Sequence, residues 1–161
     1  SDGPTALRTS DGSAVWSGAQ ACCIGDRIVM GPRGLRVYVT RTAEDGSVRI
    51  AALTARTGTR RWTTPIAPPF RDLAGMAVSG RGVFLVGDAL SGGGAGSESD
   101  IETVSLRAES GAERWRARFG RPDTPDEAAA LALSPHAARV VVTGTRVSGE
   151  VSNFATASYA A

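Results

Sequence analysis

Short apolar runs alternate with polar turn residues along the whole chain. Ile28-Val29-Met30 passes through Gly31-Pro32 to Val37-Tyr38-Val39-Thr40, and Leu131-Ala132-Leu133 passes through Ser134-Pro135 to Val140-Val141-Val142-Thr143 with the same spacing. Between them, Met76-Ala77-Val78-Ser79 leads to Val83-Phe84-Leu85-Val86 with two residues fewer. Further runs cover Ser47 to Leu53, Asp100 to Leu106 and Asn153 to Tyr159. Runs of this length, rich in Val, Ile, Thr and aromatic residues and bounded by Gly, Pro, Ser and Asp, predict strands joined by hairpins. Only Pro125 to Leu133 has a helix-like composition. Its second half, Leu131 to Ser134, falls on strand positions of the other copies and is read as strand.

The runs recur with a period. Tryptophan occurs only at 16, 62 and 115, each preceded at four residues by glycine (Gly12, Gly58, Gly111) and at nine by leucine (Leu7, Leu53, Leu106). Separations of 46 and 53 residues between successive tryptophans match the period of four-stranded propeller blades. The expected fold is therefore all-β: a single incomplete β-propeller domain over residues 1–161, with about three blades of four antiparallel strands. A partial further repeat runs from about 153 to 161. The glycine before each tryptophan fits a hairpin position of positive φ, where a Cβ would clash. A large flat indole at a fixed point in each repeat fits between neighbouring sheets.

At these residues the chain resembles the repeats of quinoprotein (PQQ) dehydrogenases and their non-enzymatic relatives, whose docking motif reads Ala-x-Asp-x-x-Thr-Gly-x-x-x-Trp. Ala52, Thr57, Gly58 and Trp62 match, with Thr54 at the Asp position. Ala6, Gly12 and Trp16 match in the first copy, with Arg8 and Asp11 at the Asp and Thr positions. Gly111 and Trp115 match in the third, where Ser105, Arg107 and Ser110 replace the rest. Every copy lacks the motif aspartate, which the resemblance places on the side of scaffold propellers rather than catalytic members.

Propellers close with about four to eight blades. Three repeats are accordingly expected to be an arc of a longer chain, since both ends cut through a repeat, or else to close by assembly of several copies. Open blade faces would favour self-association.

Composition narrows the function classes. Of 161 residues, 42% are apolar and 21% charged, enough for a sizeable core. Nothing approaches the roughly 20 consecutive apolar residues of a membrane-spanning helix. The 18 basic residues, all arginine, exceed the 16 acidic ones by only two and are scattered in sequence, which argues against a nucleic-acid surface.

Candidate chemistry is sparse. Quinoprotein alcohol dehydrogenases carry a vicinal disulfide beside the quinone, and Cys22-Cys23, 39 residues before Trp62, is similarly placed. The resemblance then implies PQQ and calcium as cofactors of an oxidoreductase arc. The alternative, preferred reading is a pair of structural cysteines, for free Cys packs as a small hydrophobe. His136, the only histidine, falls in the turn Ser134 to Ala137 and has no hydrolase or zinc motif around it. The loop Ser91 to Ser97 is glycine-rich but lacks a Lys-Ser/Thr ending and leads into a strand, so it is read as a flexible connection. Asp88, Glu98, Asp100 and Glu102 flank it without the spacing of a calcium loop. Arg114, Arg116 and Arg118 alternate with apolar residues and are read as a solvated strand face, with an anion site as the alternative. These features together point to a non-enzymatic, extracellular or periplasmic scaffold that binds a protein or small ligand through rim loops.

Overall fold

The computed structural model describes residues 4–17, 27–42, 47–67, 70–90, 99–120, 125–148 and 151–161. Their strands form four antiparallel sheets. The first pairs β1 (Thr5–Leu7) with β2 (Ala14–Ser17). The second contains β3 (Arg27–Met30), β4 (Arg36–Thr42), β5 (Val48–Thr54) and β6 (Arg60–Ile66), and the third β7 (Asp72–Val78), β8 (Gly82–Leu90), β9 (Ser99–Arg107) and β10 (Glu113–Phe119). The fourth holds β11 (Asp126–Leu133), β12 (Arg139–Ser148) and β13 (Val151–Ala160). Strands adjacent in sequence are adjacent in every sheet, so each sheet is a simple meander.

Two complete four-stranded blades thus lie between partial ones, and each tryptophan sits on the last strand of its sheet: Trp16 on β2, Trp62 on β6 and Trp115 on β10. The segment 153–161 provides most of β13, paired along its length with β12. The helix-like stretch is strand from Asp126 onward, including its alanine-rich first half. There β11 pairs with β12 and packs across β7, β8 and β9, and this strand pairing and packing override local helix propensity.

The sheets stack face to face. Between the second and third, Tyr38, Ile50, Leu73, Val83, Leu85, Val104 and Leu106 form a closed core. Between the third and fourth, Phe84, Val86, Ile101, Val140 and Val142 form another. Strand β8 therefore buries both faces: Val83 and Leu85 look to one neighbour and Phe84 and Val86 to the other, all 0% exposed. A strand covered on both sides reads as a continuous apolar run rather than an alternating one. First strands meet near the axis, where β3 packs on β7 and β7 on β11. Arg27 ties the first of these pairs by donating from Nη2 to the carbonyls of Leu73 and Ala74 at 3.0 and 3.3 Å.

Candidate functional site

Two devices hold the sheets in register and shape the rim between them. In the first, Trp16 and Trp62 each close on the hairpin of the next sheet. Trp16 donates its indole N–H to the Ala55 carbonyl at 2.8 Å and lies over Gly58; Trp62 donates to Ala108 at 3.2 Å and lies over Gly111. A Cβ on either glycine would stand 2.5 Å from the indole ring. Gly12, Gly58 and Gly111 all have positive φ, between 69° and 75°. Thr64 adds a hydrogen bond to the Gly111 carbonyl at 2.9 Å. Within its own sheet each of the last two tryptophans also meets an aromatic ring, Tyr38 against Trp62 and Phe84 against Trp115. Trp115 reaches Tyr159 of the fourth sheet, with ring centroids 5.4 Å apart.

The second device is ionic and corrects the sequence reading of Arg114, Arg116 and Arg118 as one solvated face. Glu102 is fully buried, and Arg116 donates to its Oε1 at 2.9 Å while Arg118 lies 3.5 Å from the same oxygen. Arg116 also pairs with Glu113 at 3.1 Å and donates to the Ala67 carbonyl, which ties the third sheet to the end of the second. Burial works against its charge, but the carboxylates of Glu113 and Glu102 outweigh that cost and raise its pKa. The reason is register: Arg118 faces Glu102 directly across the β9–β10 pair. Arg114 has no part in this cluster. It borders a separate opening further along the strand.

That opening is a cleft of about 600 Å³ between the second and third sheets, where β3 turns into β4, β7 into β8 and β9 into β10. Its walls carry Arg33, Arg36, Arg81, Arg107 and Arg114 against one acid, Glu109. Arg36 is fixed by donating from Nη1 to the Ala108 carbonyl at 2.9 Å. The other four arginines are exposed, and among the described residues none lies within ion-pair distance of a carboxylate. Fold therefore concentrates charge that is dispersed in sequence. The cleft has a surplus of four positive charges while the whole chain has a surplus of two, so the remainder of the chain is net acidic.

Sequence reasoning missed this site because its arginines lie up to 81 residues apart. A faint signal was present in the Arg-Gly pairs 33–34 and 81–82, which occupy the first hairpin of two successive repeats.

The remaining candidates are not brought together. His136 is exposed in a single 3-10 turn, Pro135–Ala137, at φ 64°. Asp88 accepts the Ala128 amide at 2.6 Å, joining β8 to β11. Burial raises its pKa above the ordinary carboxylate value, against the lowering effect of that hydrogen bond, with Asp72 and Glu127 adding to the rise. Asp100 and Glu102 are both on β9, the latter engaged by arginines. Cys22, Cys23, the loop Ser91 to Ser97 and Glu98 lie outside the described residues. Among the described residues no three His, Cys, Asp or Glu side chains converge on a metal position. Of the carboxylates the sequence offered, Asp88 and Glu102 are held in structural pairings.

Successive antiparallel meanders, the first two latched by a tryptophan onto a glycine hairpin of the next, define a sector of a β-propeller with PQQ-type repeats. The match to a family model described as outer membrane protein assembly factor BamB runs over residues 2–159. The chain belongs to that family. Among solved structures it is similar to BamB from Moraxella catarrhalis, with TM-score 0.55, 21% identity and 83% of this chain on 35% of that one. It is similar also to the quinohemoprotein alcohol dehydrogenase ADHIIG from Pseudomonas putida HK5, with TM-score 0.58, 20% identity and 88% of this chain on 25% of that one. The quinohemoprotein alcohol dehydrogenase from Comamonas testosteroni gives TM-score 0.54 and 19% identity, with 88% of this chain on 26% of that one. The chain spans about a third or less of each, and at such identity the likeness is one of fold. No curated protein matches it in sequence.

Proposed function

We propose that this chain is part of a non-enzymatic, extracytoplasmic β-propeller scaffold that binds a protein partner through the hairpins of one rim. The observation that carries the reading is the arginine-lined cleft, a recognition surface built from three hairpins of two latched sheets. Membership of a family described as an outer membrane protein assembly factor supports work on proteins outside the cytoplasm. The alternative function, an arc of a PQQ-dependent oxidoreductase, draws on Cys22-Cys23. It gains no support from Asp88, whose carboxylate joins two sheets, or from Glu102, whose carboxylate pairs with arginines of the neighbouring strand.

The test is to titrate the intact protein with PQQ and calcium and to assay dye reduction with alcohols and sugars. No saturable quinone uptake and no turnover are expected. Saturable uptake with turnover overturns the scaffold reading.

A further inference from the structure

The arginine cleft has features that narrow its occupant. Its positive groups are spread over three hairpins instead of converging on one point: Arg33 on the first, Arg81 on the second, and Arg107 with Arg114 flanking the third. A single small anion needs convergent donors, and the one arginine fixed toward the interior, Arg36, is already directed at the Ala108 carbonyl. Several carboxylates strung along an extended chain suit such spacing better. Exposed guanidinium forks with no carboxylate partner among the described residues are also poised for paired hydrogen bonds to carboxylates.

Apolar surface accompanies the charge. Leu35 is 67% exposed at the cleft edge, beside Pro32. A peptide that alternates acidic and apolar residues would satisfy both. Nucleic acid is the poorer fit, because single strands are held by stacking on open aromatic rings. Among the described residues the only aromatic one in the cleft, Tyr38, is 2% exposed and donates its hydroxyl to Ala108 at 3.1 Å.

We infer that this cleft binds an acidic, extended peptide segment of the partner, with Arg33, Arg81, Arg107 and Arg114 pairing its carboxylates. The inference rests on the scaffold reading above and names the chemistry of its partner.

The experiment uses the intact protein and a fluorescein-labelled hexaglutamate peptide, followed by anisotropy. Hexaglutamine, inorganic phosphate and a short oligothymidylate serve as competitors. Saturable binding is expected, displaced by unlabelled hexaglutamate and not by hexaglutamine, and weakened by added salt. The double variant Arg81→Glu/Arg107→Glu should weaken binding by about tenfold or more, while Arg81→Lys/Arg107→Lys should restore much of it. Arg49→Glu, an exposed charge at the other end of the second sheet, should leave binding unchanged. All variants should keep the parent unfolding midpoint, which separates lost recognition from lost fold.

Absence of binding, equal loss in Arg49→Glu, or displacement by oligothymidylate or phosphate in preference to hexaglutamate would each overturn the inference. Quinone-dependent turnover with peptide binding intact would instead overturn the scaffold reading alone.

Discussion

Trp62 and Gly111 belong to different sheets, yet the indole ring of the first occupies the space that a side chain on the second would need. The indole N–H donates to Ala108 at 3.2 Å while the ring covers Gly111; Trp16, Ala55 and Gly58 repeat the arrangement one sheet earlier. The glycine is required twice, once for its φ of +75° and once for the ring.

Glycine replacements should separate these two requirements. Gly111→Ala and Gly58→Ala combine a left-handed backbone with a Cβ overlapping an indole, and are expected to cost roughly 2–4 kcal/mol. Gly12→Ala meets no atom within 4 Å and keeps only the backbone strain, about 1 kcal/mol. Urea denaturation of the three variants measures the contrast. Equal losses would show that the indole yields without cost.

Removal of the Trp62 ring and removal of its N–H should differ as sharply. The Ala108 carbonyl also accepts from Arg36 and Tyr38, so Trp62→Phe leaves it satisfied and is expected to cost about 1 kcal/mol. Trp62→Ala opens the core between the second and third sheets and should cost about 3–5 kcal/mol. Thermal or urea unfolding checks both.

The buried Glu102 predicts an asymmetry. Arg116→Ala leaves the carboxylate with only the longer contact to Arg118, at a cost of about 3–5 kcal/mol. Glu102→Ala frees two arginines whose side chains already reach water, 19% and 41% exposed, and should cost less. In a double-mutant cycle the pair should be markedly non-additive. Additive losses would mean that the two groups act independently.

Asp88 supplies a pH signature. Its carboxyl is held above the ordinary carboxylate value because burial disfavours the charge. A raised folded-state pKa favours folding fully below the unfolded value, and that contribution is lost as pH rises through the folded value. Stability measured from about pH 3 to pH 7 should therefore fall less steeply in Asp88→Asn, which keeps an acceptor for the Ala128 amide. An unchanged slope would show that other groups set the dependence.

Architecture was legible in sequence because it is written in local, repeated constraints. Hairpin glycines, tryptophans at a blade-length period and apolar runs on doubly covered strands recur at fixed offsets, and the repeat carries them without reference to distant residues. Even the carbonyls that receive the Trp16 and Trp62 indoles keep the period, Ala55 and Ala108 being 53 residues apart. By contrast, the fates of individual charges were illegible. Arg114, Arg116 and Arg118 share one alternation in sequence, but the pairing of β9 with β10 directs two of them to Glu102 and leaves the third at the cleft.

The candidate site is a tertiary product for the same reason. Arg33, Arg36, Arg81, Arg107 and Arg114 become neighbours only when the second and third sheets stack and bring three hairpins to one rim. Sequence by itself determined the all-β repeat, its period and the positions that latch one sheet to the next, because strand, turn and anchor preferences act over a few residues. Only the tertiary structure decided which charges are buried in pairs and which stand together unpaired, because Coulomb interactions depend on distances that the stacking of sheets sets.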